Sequence, residues 1–204
     1  MVAREQVTDG ERLRARQDDL QREADAVAED LGLAGLLAPH GRVERVGSAA
    51  LGLMVAADLD LTVVCLRLDD SVKRAVTAAG ATLGLHERVR QVTFRDDTGA
   101  WNTDPRYPDG LYLNVEYRSA AGREWTLDIW FVDEPDRQPD LAHVRDLPPR
   151  LTDAHRTTIL GIKQALSERP AASRVPSYEV YRAVLDHGVT DVAAFDAWAG
   201  RERG

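Results

Sequence analysis

The chain has 204 residues, of which 44% are apolar and 29% charged, with a formal net charge of −8. That length suits one substantial domain or a domain with a helical appendage. The acidic balance argues against a protein that coats long nucleic acid through its phosphates, and no apolar run reaches the length of a membrane span. Cys65 is the single cysteine, so neither an intrachain disulfide nor a cysteine zinc cluster is expected. The N-terminal segment MVAREQVTDGERLRARQ lacks the apolar core of a secretory signal, which points to the cytoplasm.

Residues 9–38 read as helical, with Leu13, Leu20, Ala24, Val27 and Leu31 at helical spacing and Gly32 breaking a long helix from a short one. RVERVG (42–47) reads as a short strand, and Ala49 to Met54 as a brief helix or turn. LDLTVVCL (59–66) is a strand rich in β-branched residues. DDSVKRAVTAAGATLG (69–84) is a helix capped by Asp70 or Ser71, with Val72, Ala75, Val76 and Ala79 on its apolar face. ERVRQVTFRD (87–96) alternates as a strand, and residues 97–110, dense in Gly, Pro, Asp and Asn, form a loop. LYLNVEYR and EWTLDIWFVD alternate again, and SAAG between them predicts a hairpin. After a Pro-rich stretch, 135–149, three helical patterns follow: TDAHRTTILGIKQALSER, SYEVYRAVLDHG and DVAAFDAWAGRE. The expected fold class is α+β: a mixed, largely antiparallel sheet flanked by helices over 1–134, then a helical part over 135–204. The long N-terminal helix either covers the sheet or forms a homodimer contact.

Within the strand at 59–66, residues two apart share a face. Asp58, Asp60 and Thr62 therefore lie opposite Leu59, Leu61 and Val63. Two carboxylates that close repel, and each resists desolvation. A cation between them, a solvated strand end or arginine partners would each accommodate them, and spacing alone does not choose. Two further features narrow the choice. Gly47-Ser48 forms a small-residue turn whose backbone N–H groups and hydroxyl suit a phosphate. Asp128, in WTLDIWF, shares a face with Thr126 and Trp130. If its strand pairs beside 59–66, three carboxylates converge, and such hard oxygen ligands suit Mg²⁺.

Val46-Gly47-Ser48, a gap of nine residues, Asp58-Leu59-Asp60 and the later Asp128 together resemble the signature of the DNA polymerase β-like nucleotidyltransferase superfamily. Its small members include aminoglycoside- and lincosamide-modifying enzymes and minimal transferases, and the signature is also similar to that of GrpB-like proteins. The resemblance covers roughly residues 42–132. It implies a sheet of nucleotidyltransferase type and a Mg²⁺-dependent enzyme that uses two ions. The enzyme would move a nucleoside monophosphate, AMP from ATP or the equivalent from another nucleoside triphosphate, to a hydroxyl-bearing acceptor. By the resemblance, Gly47 and Ser48 hold the triphosphate, Asp58 and Asp60 bind both metals, and Asp128 completes one metal site and assists proton removal. One departure stands out: AALGLMVAA after Gly-Ser offers no side chain to grip phosphate, so positive charge must come from elsewhere. Lys163, in TILGIKQAL, reads equally as that phosphate contact and as a surface lysine snorkelling past apolar neighbours. The alternative to an enzyme is a non-catalytic nucleotide-binding or interaction module, or a transferase of another group on the same scaffold.

Other residues carry simpler readings. Glu116 joins the site only if its strand lies between the other two. The five histidines show no metal-ligand spacing. Tyr178 and Tyr181 either stack a ring or pack a helix. Trp101 and Tyr107 mark the 97–110 loop as a candidate acceptor wall.

Overall fold

Period-two alternation of apolar residues builds a five-stranded sheet. This computed structural model describes residues 8–170 and 175–202, so the first seven residues of the N-terminal segment lie outside the described residues. The strands are β1 (Arg42–Arg45), β2 (Asp58–Val64), β3 (Val89–Asp97), β4 (Gly110–Arg118) and β5 (Glu124–Val132). Their order is β1-β2-β5-β4-β3, with β2 and β5 parallel and every other pair antiparallel. The sheet is therefore mixed and largely antiparallel, flanked by helices, as the sequence implies.

The helices are α1 (Asp9–Asp30), α2 (Leu33–Leu37), α3 (Gly47–Leu51), α4 (Asp70–Gly84), α5 (Pro139–Asp146), α6 (Asp153–Ser167), α7 (Ser177–His187) and α8 (Val192–Glu202). No described helix is long and apolar enough to cross a membrane. Two compact units arise. One comprises residues 22–51 and 57–148; the other comprises residues up to 21, residues 52–56 and residues from 149 on.

In the sheet unit, Leu59, Val63, Leu113, Val115, Leu127, Ile129 and Phe131 are fully buried on one face. Each contributes about 1.5–3 kcal/mol of burial. Helix α4 packs close here: a Cβ added to Gly80 would lie 3.1 Å from Leu113 Cδ2. Gly32, at φ 59°, separates α1 from α2 as the sequence predicts. The α4 cap is Asp69 rather than Asp70 or Ser71. Its extended backbone lets the carboxylate accept from the N–H groups of Ser71 at 2.9 Å and Val72 at 3.1 Å. Helix α5, hidden in the Pro-rich stretch, begins on Pro139, where a missing N–H costs nothing.

In the helical unit, Ile159, Leu160, Ile162, Val180, Val184, Phe195 and Trp198 form the core. Thr152 caps α6 by accepting from His155 N at 3.2 Å. Gly188, at φ 65°, ends α7 in the left-handed conformation. Gln17, in the apolar stripe of α1 between Leu13 and Leu20, is buried although polar, which the stripe did not reveal.

Candidate metal and nucleotide site

Asp60 pairs in register with Asp128, and Asp58 with Thr126, across the parallel strands β2 and β5. Side chains in register on adjacent strands point the same way. Asp58, Asp60 and Asp128 consequently stand together on the face opposite the buried leucines, all half-buried. One carboxylate oxygen from each lies within 4.8 Å of the other two. At an effective dielectric near 20, such a pair repels by roughly 3 kcal/mol, more than an exposed ion pair returns. A cation among them relieves this repulsion, and three hard oxygen donors fit Mg²⁺.

The orientation of Asp128 is set by β4. Asn114 pairs in register with Asp128, and Tyr112 with Trp130, so both share the carboxylate face. Asn114 Nδ2 donates to Asp128 Oδ1 at 2.9 Å, and the Tyr112 hydroxyl donates to the same oxygen. Both donors are neutral, so they fix the carboxylate without cancelling its charge. Burial, reinforced by the Asp128 contact, pushes the Tyr112 hydroxyl well above its ordinary pKa, which keeps it a donor. Sequence reasoning did not assign Tyr112 and Asn114 to the site. Their period-two spacing was visible, but only the β4–β5 register connects them to Asp128.

The turn before β2 meets the same cluster. Gly47 sits at φ 62°, and a Cβ there would fall 2.0 Å from Asp60 Oδ2. Glycine is thus required twice, for its backbone and for the space. The N–H of Val46 donates to Asp60 O at 3.0 Å, tying the turn to the strand. Ser48 follows at the start of α3, half-buried.

Comparison with known proteins follows the same lines. No protein-family model matches the chain, and no curated protein matches it in sequence. Solved structures do. Cid1, described for its RNA terminal uridylyl transferase activity, matches with a TM-score of 0.58 at 18% identity, over 82% of this chain and 47% of its own. Cid1 poly(U) polymerase bound to MgATP matches with a TM-score of 0.57 at 19% identity, over 82% and 50%. A STING-associated CdnE c-di-GMP synthase from Capnocytophaga granulosa matches with a TM-score of 0.50 at 11% identity, over 80% and 57%. This chain shares the fold of these structures. It spans about half the length of the Cid1 structures it matches.

Within this fold, Gly47 and Ser48 fall on α3, Asp58 and Asp60 on β2, and Asp128 on β5. Lys163 belongs to the helical unit. It is buried at 7% exposure, not snorkelling, and its Nζ donates to Leu53 O at 2.7 Å and to the Tyr181 hydroxyl at 3.3 Å. Tyr181 is buried, whereas Tyr178 is exposed. Strand β4 lies outside β5 rather than between β2 and β5, which removes the condition for Glu116; that side chain faces Arg90 at 3.9 Å. Arg45 pairs with Asp25 at 2.6 Å and Arg42 with Glu44, so both are engaged within the sheet unit. Asp133 accepts from Leu68 N at 2.9 Å and acts as a strand-end residue.

The 97–110 loop is held in place. Asp109 accepts from Gly99 N at 2.8 Å and from Asn102 Nδ2 at 3.0 Å, and Arg137 donates to Pro105 O and Tyr107 O at 3.1 Å. Asp140, at the start of α5, is half-buried, and desolvation raises its carboxyl pKa. The His143 charge opposes that rise, and the Asp128 charge adds to it.

Proposed function

We propose that the chain transfers a nucleoside monophosphate, AMP from ATP in the first instance, to a hydroxyl of a small molecule or protein. The observation that carries this reading is the convergence of Asp58, Asp60 and Asp128 beside the Gly47-Ser48 turn. In this proposal the three carboxylates hold two Mg²⁺ ions. When bound there, Mg²⁺ supplies the positive charge that stabilises the entering and leaving oxygens.

The protein's own residues do the rest. The Gly47-Ser48 turn offers N–H groups and a hydroxyl to the triphosphate. Tyr112 and Asn114 fix Oδ1 of Asp128 and leave Oδ2 to face an incoming hydroxyl. The acceptor oxygen forms a bond to the α-phosphorus as the bond to the α–β bridging oxygen breaks. Pyrophosphate departs, and the hydroxyl proton passes to Asp128. Lys163 is proposed as a source of positive charge for the triphosphate, on the resemblance. A Lys163→Met variant that binds triphosphate as the wild type does removes it from this role.

The test is calorimetric binding of ATP, GTP, CTP and UTP, with Mg²⁺ and with EDTA, to the wild type and Asp60→Asn. Binding that needs Mg²⁺ and disappears in the variant supports the reading and names the donor. Absence of triphosphate binding in well-folded wild type, together with no divalent ion between Asp58, Asp60 and Asp128, overturns it.

A further inference from the structure

Past the Asp60–Asp128 rung, in the direction both parallel strands run, the carboxylate face turns aromatic. Trp130 pairs in register with Tyr112, and Tyr112 with Arg95. The Tyr112 and Trp130 rings lie 4.8 Å apart, and the Arg95 guanidinium covers them at 4.5 and 5.4 Å. A cavity of about 380 Å³ opens beside this row, the size of a small-molecule site. Trp130 lines it together with Trp101 and Tyr107 of the 97–110 loop and with Gln138 and Asp140 at the start of α5.

Three features mark it as built for a ligand. Gln138 is 4% exposed and brings a polar side chain to the cavity lining. Trp101 and Tyr107 stand 74% and 44% exposed on a loop already held by Asp109 and Arg137. The Trp101 ring is thus presented rather than packed, while the Tyr107 ring has the Arg106 guanidinium 5.9 Å from its centre. The charge is also one-sided. Arg95 is engaged by Asp97 at 2.8 Å and Arg106 by Asp104 at 2.6 Å, while the ion pair of Asp140 among the described residues is the long one with His143, 3.9 Å away.

We infer that this cavity is the acceptor subsite and that it takes a small, ring-bearing amine that also carries a hydroxyl. The ring lies against Trp130 and Tyr107, the ammonium meets Asp140, and Gln138 hydrogen-bonds a polar substituent. The inference rests on the nucleotidyl-transfer reading, which supplies the need for an acceptor next to Asp128. A phosphate-rich acceptor such as an RNA end would meet carboxylates where it needs cations.

Tyramine is a suitable probe, with its uncharged counterpart 2-(4-hydroxyphenyl)ethanol as control and a short oligoadenylate as competitor. Binding is read by calorimetry and by tryptophan fluorescence, with Mg²⁺-dependent triphosphate binding measured on the same samples. Tyramine is expected to bind the wild type and to bind Asp140→Asn roughly 10-fold or more weakly. Trp101→Ala, at an exposed position that leaves the fold unburdened, loses roughly several-fold. The uncharged control binds weakly, and Asp60→Asn retains tyramine. Equal affinity for tyramine and the uncharged control, or for wild type and Asp140→Asn, overturns the inference. So does displacement of tyramine by oligoadenylate with an affinity that rises in Asp140→Asn. Triphosphate binding without tyramine binding overturns the cavity inference alone. Tyramine binding that depends on Asp140, with no triphosphate bound under any condition, overturns the acceptor role and with it the nucleotidyl-transfer reading.

Discussion

Two groups of carboxylates in the sheet unit answer the same problem in opposite ways. Asp30, on α1, meets Arg88 at 2.9 Å, the Tyr117 hydroxyl at 2.6 Å and His86 at 3.4 Å. The Tyr117 hydrogen bond, with Arg88 and His86 adding their charge, holds its carboxyl below the usual range. This is a carboxylate used as a structural tie between a helix and the sheet. Asp58, Asp60 and Asp128 instead face one another, and the donors to Asp128 are neutral. One acid, Asp30, is thus tied down by cationic neighbours, whereas Asp128 is oriented by neutral donors that leave its charge uncancelled.

Breaking the site half of that comparison has the largest expected effect. Asp128→Asn should lower the proposed nucleotidyl transfer by on the order of 100-fold or more while raising Tm slightly, since a like-charge contact is relieved. Turnover and thermal unfolding measured together check both signs; a large loss of Tm would mean that the carboxylate is a structural tie after all. Gly47→Ala comes next. Its Cβ collides with Asp60 Oδ2 and its backbone sits at φ 62°. A cost of about 1–3 kcal/mol in denaturant unfolding is expected, accompanied by loss of Mg²⁺ binding.

The structural half responds differently. Tyr117→Phe should cost about 1–2 kcal/mol at neutral pH and leave transfer activity unchanged. Because the folded-state pKa of Asp30 is lowered, its contribution is complete above the unfolded carboxylate range near ~4. It is lost as pH falls through the lower folded value. The gap between wild type and Tyr117→Phe should therefore narrow in acid, and a constant gap would place the effect in packing instead. The smallest change concerns Cys65, whose thiol burial pushes up to about 11, with the Asp133 charge adding. Alkylation at pH 8 should run about 100-fold slower in the folded protein than in urea.

Much of this was readable in the chain. The alternation of Leu59, Leu61 and Val63 against Asp58, Asp60 and Thr62 fixed both the strand and its two faces, because a strand has a period of two. Gly32 announced the break between α1 and α2. Helix α5 was not legible, since Pro139 reads as a breaker until it is seen at a first helical position. The α4 cap moved by one residue to Asp69 because three polar residues in a row offer the same local signal.

The sequence by itself determined the alternation, the Gly-Ser turn and the carboxylates, since local spacing depends only on backbone geometry. The tertiary structure decided which strands stand side by side. The parallel pairing of β2 with β5 set Asp60 against Asp128, and the pairing of β4 with β5 supplied Tyr112 and Asn114. It also drew residues 52–56 into one unit with the helices that begin almost a hundred residues later. Strand order is chosen by burial of the shared apolar face, a property of the whole sheet that no short segment carries.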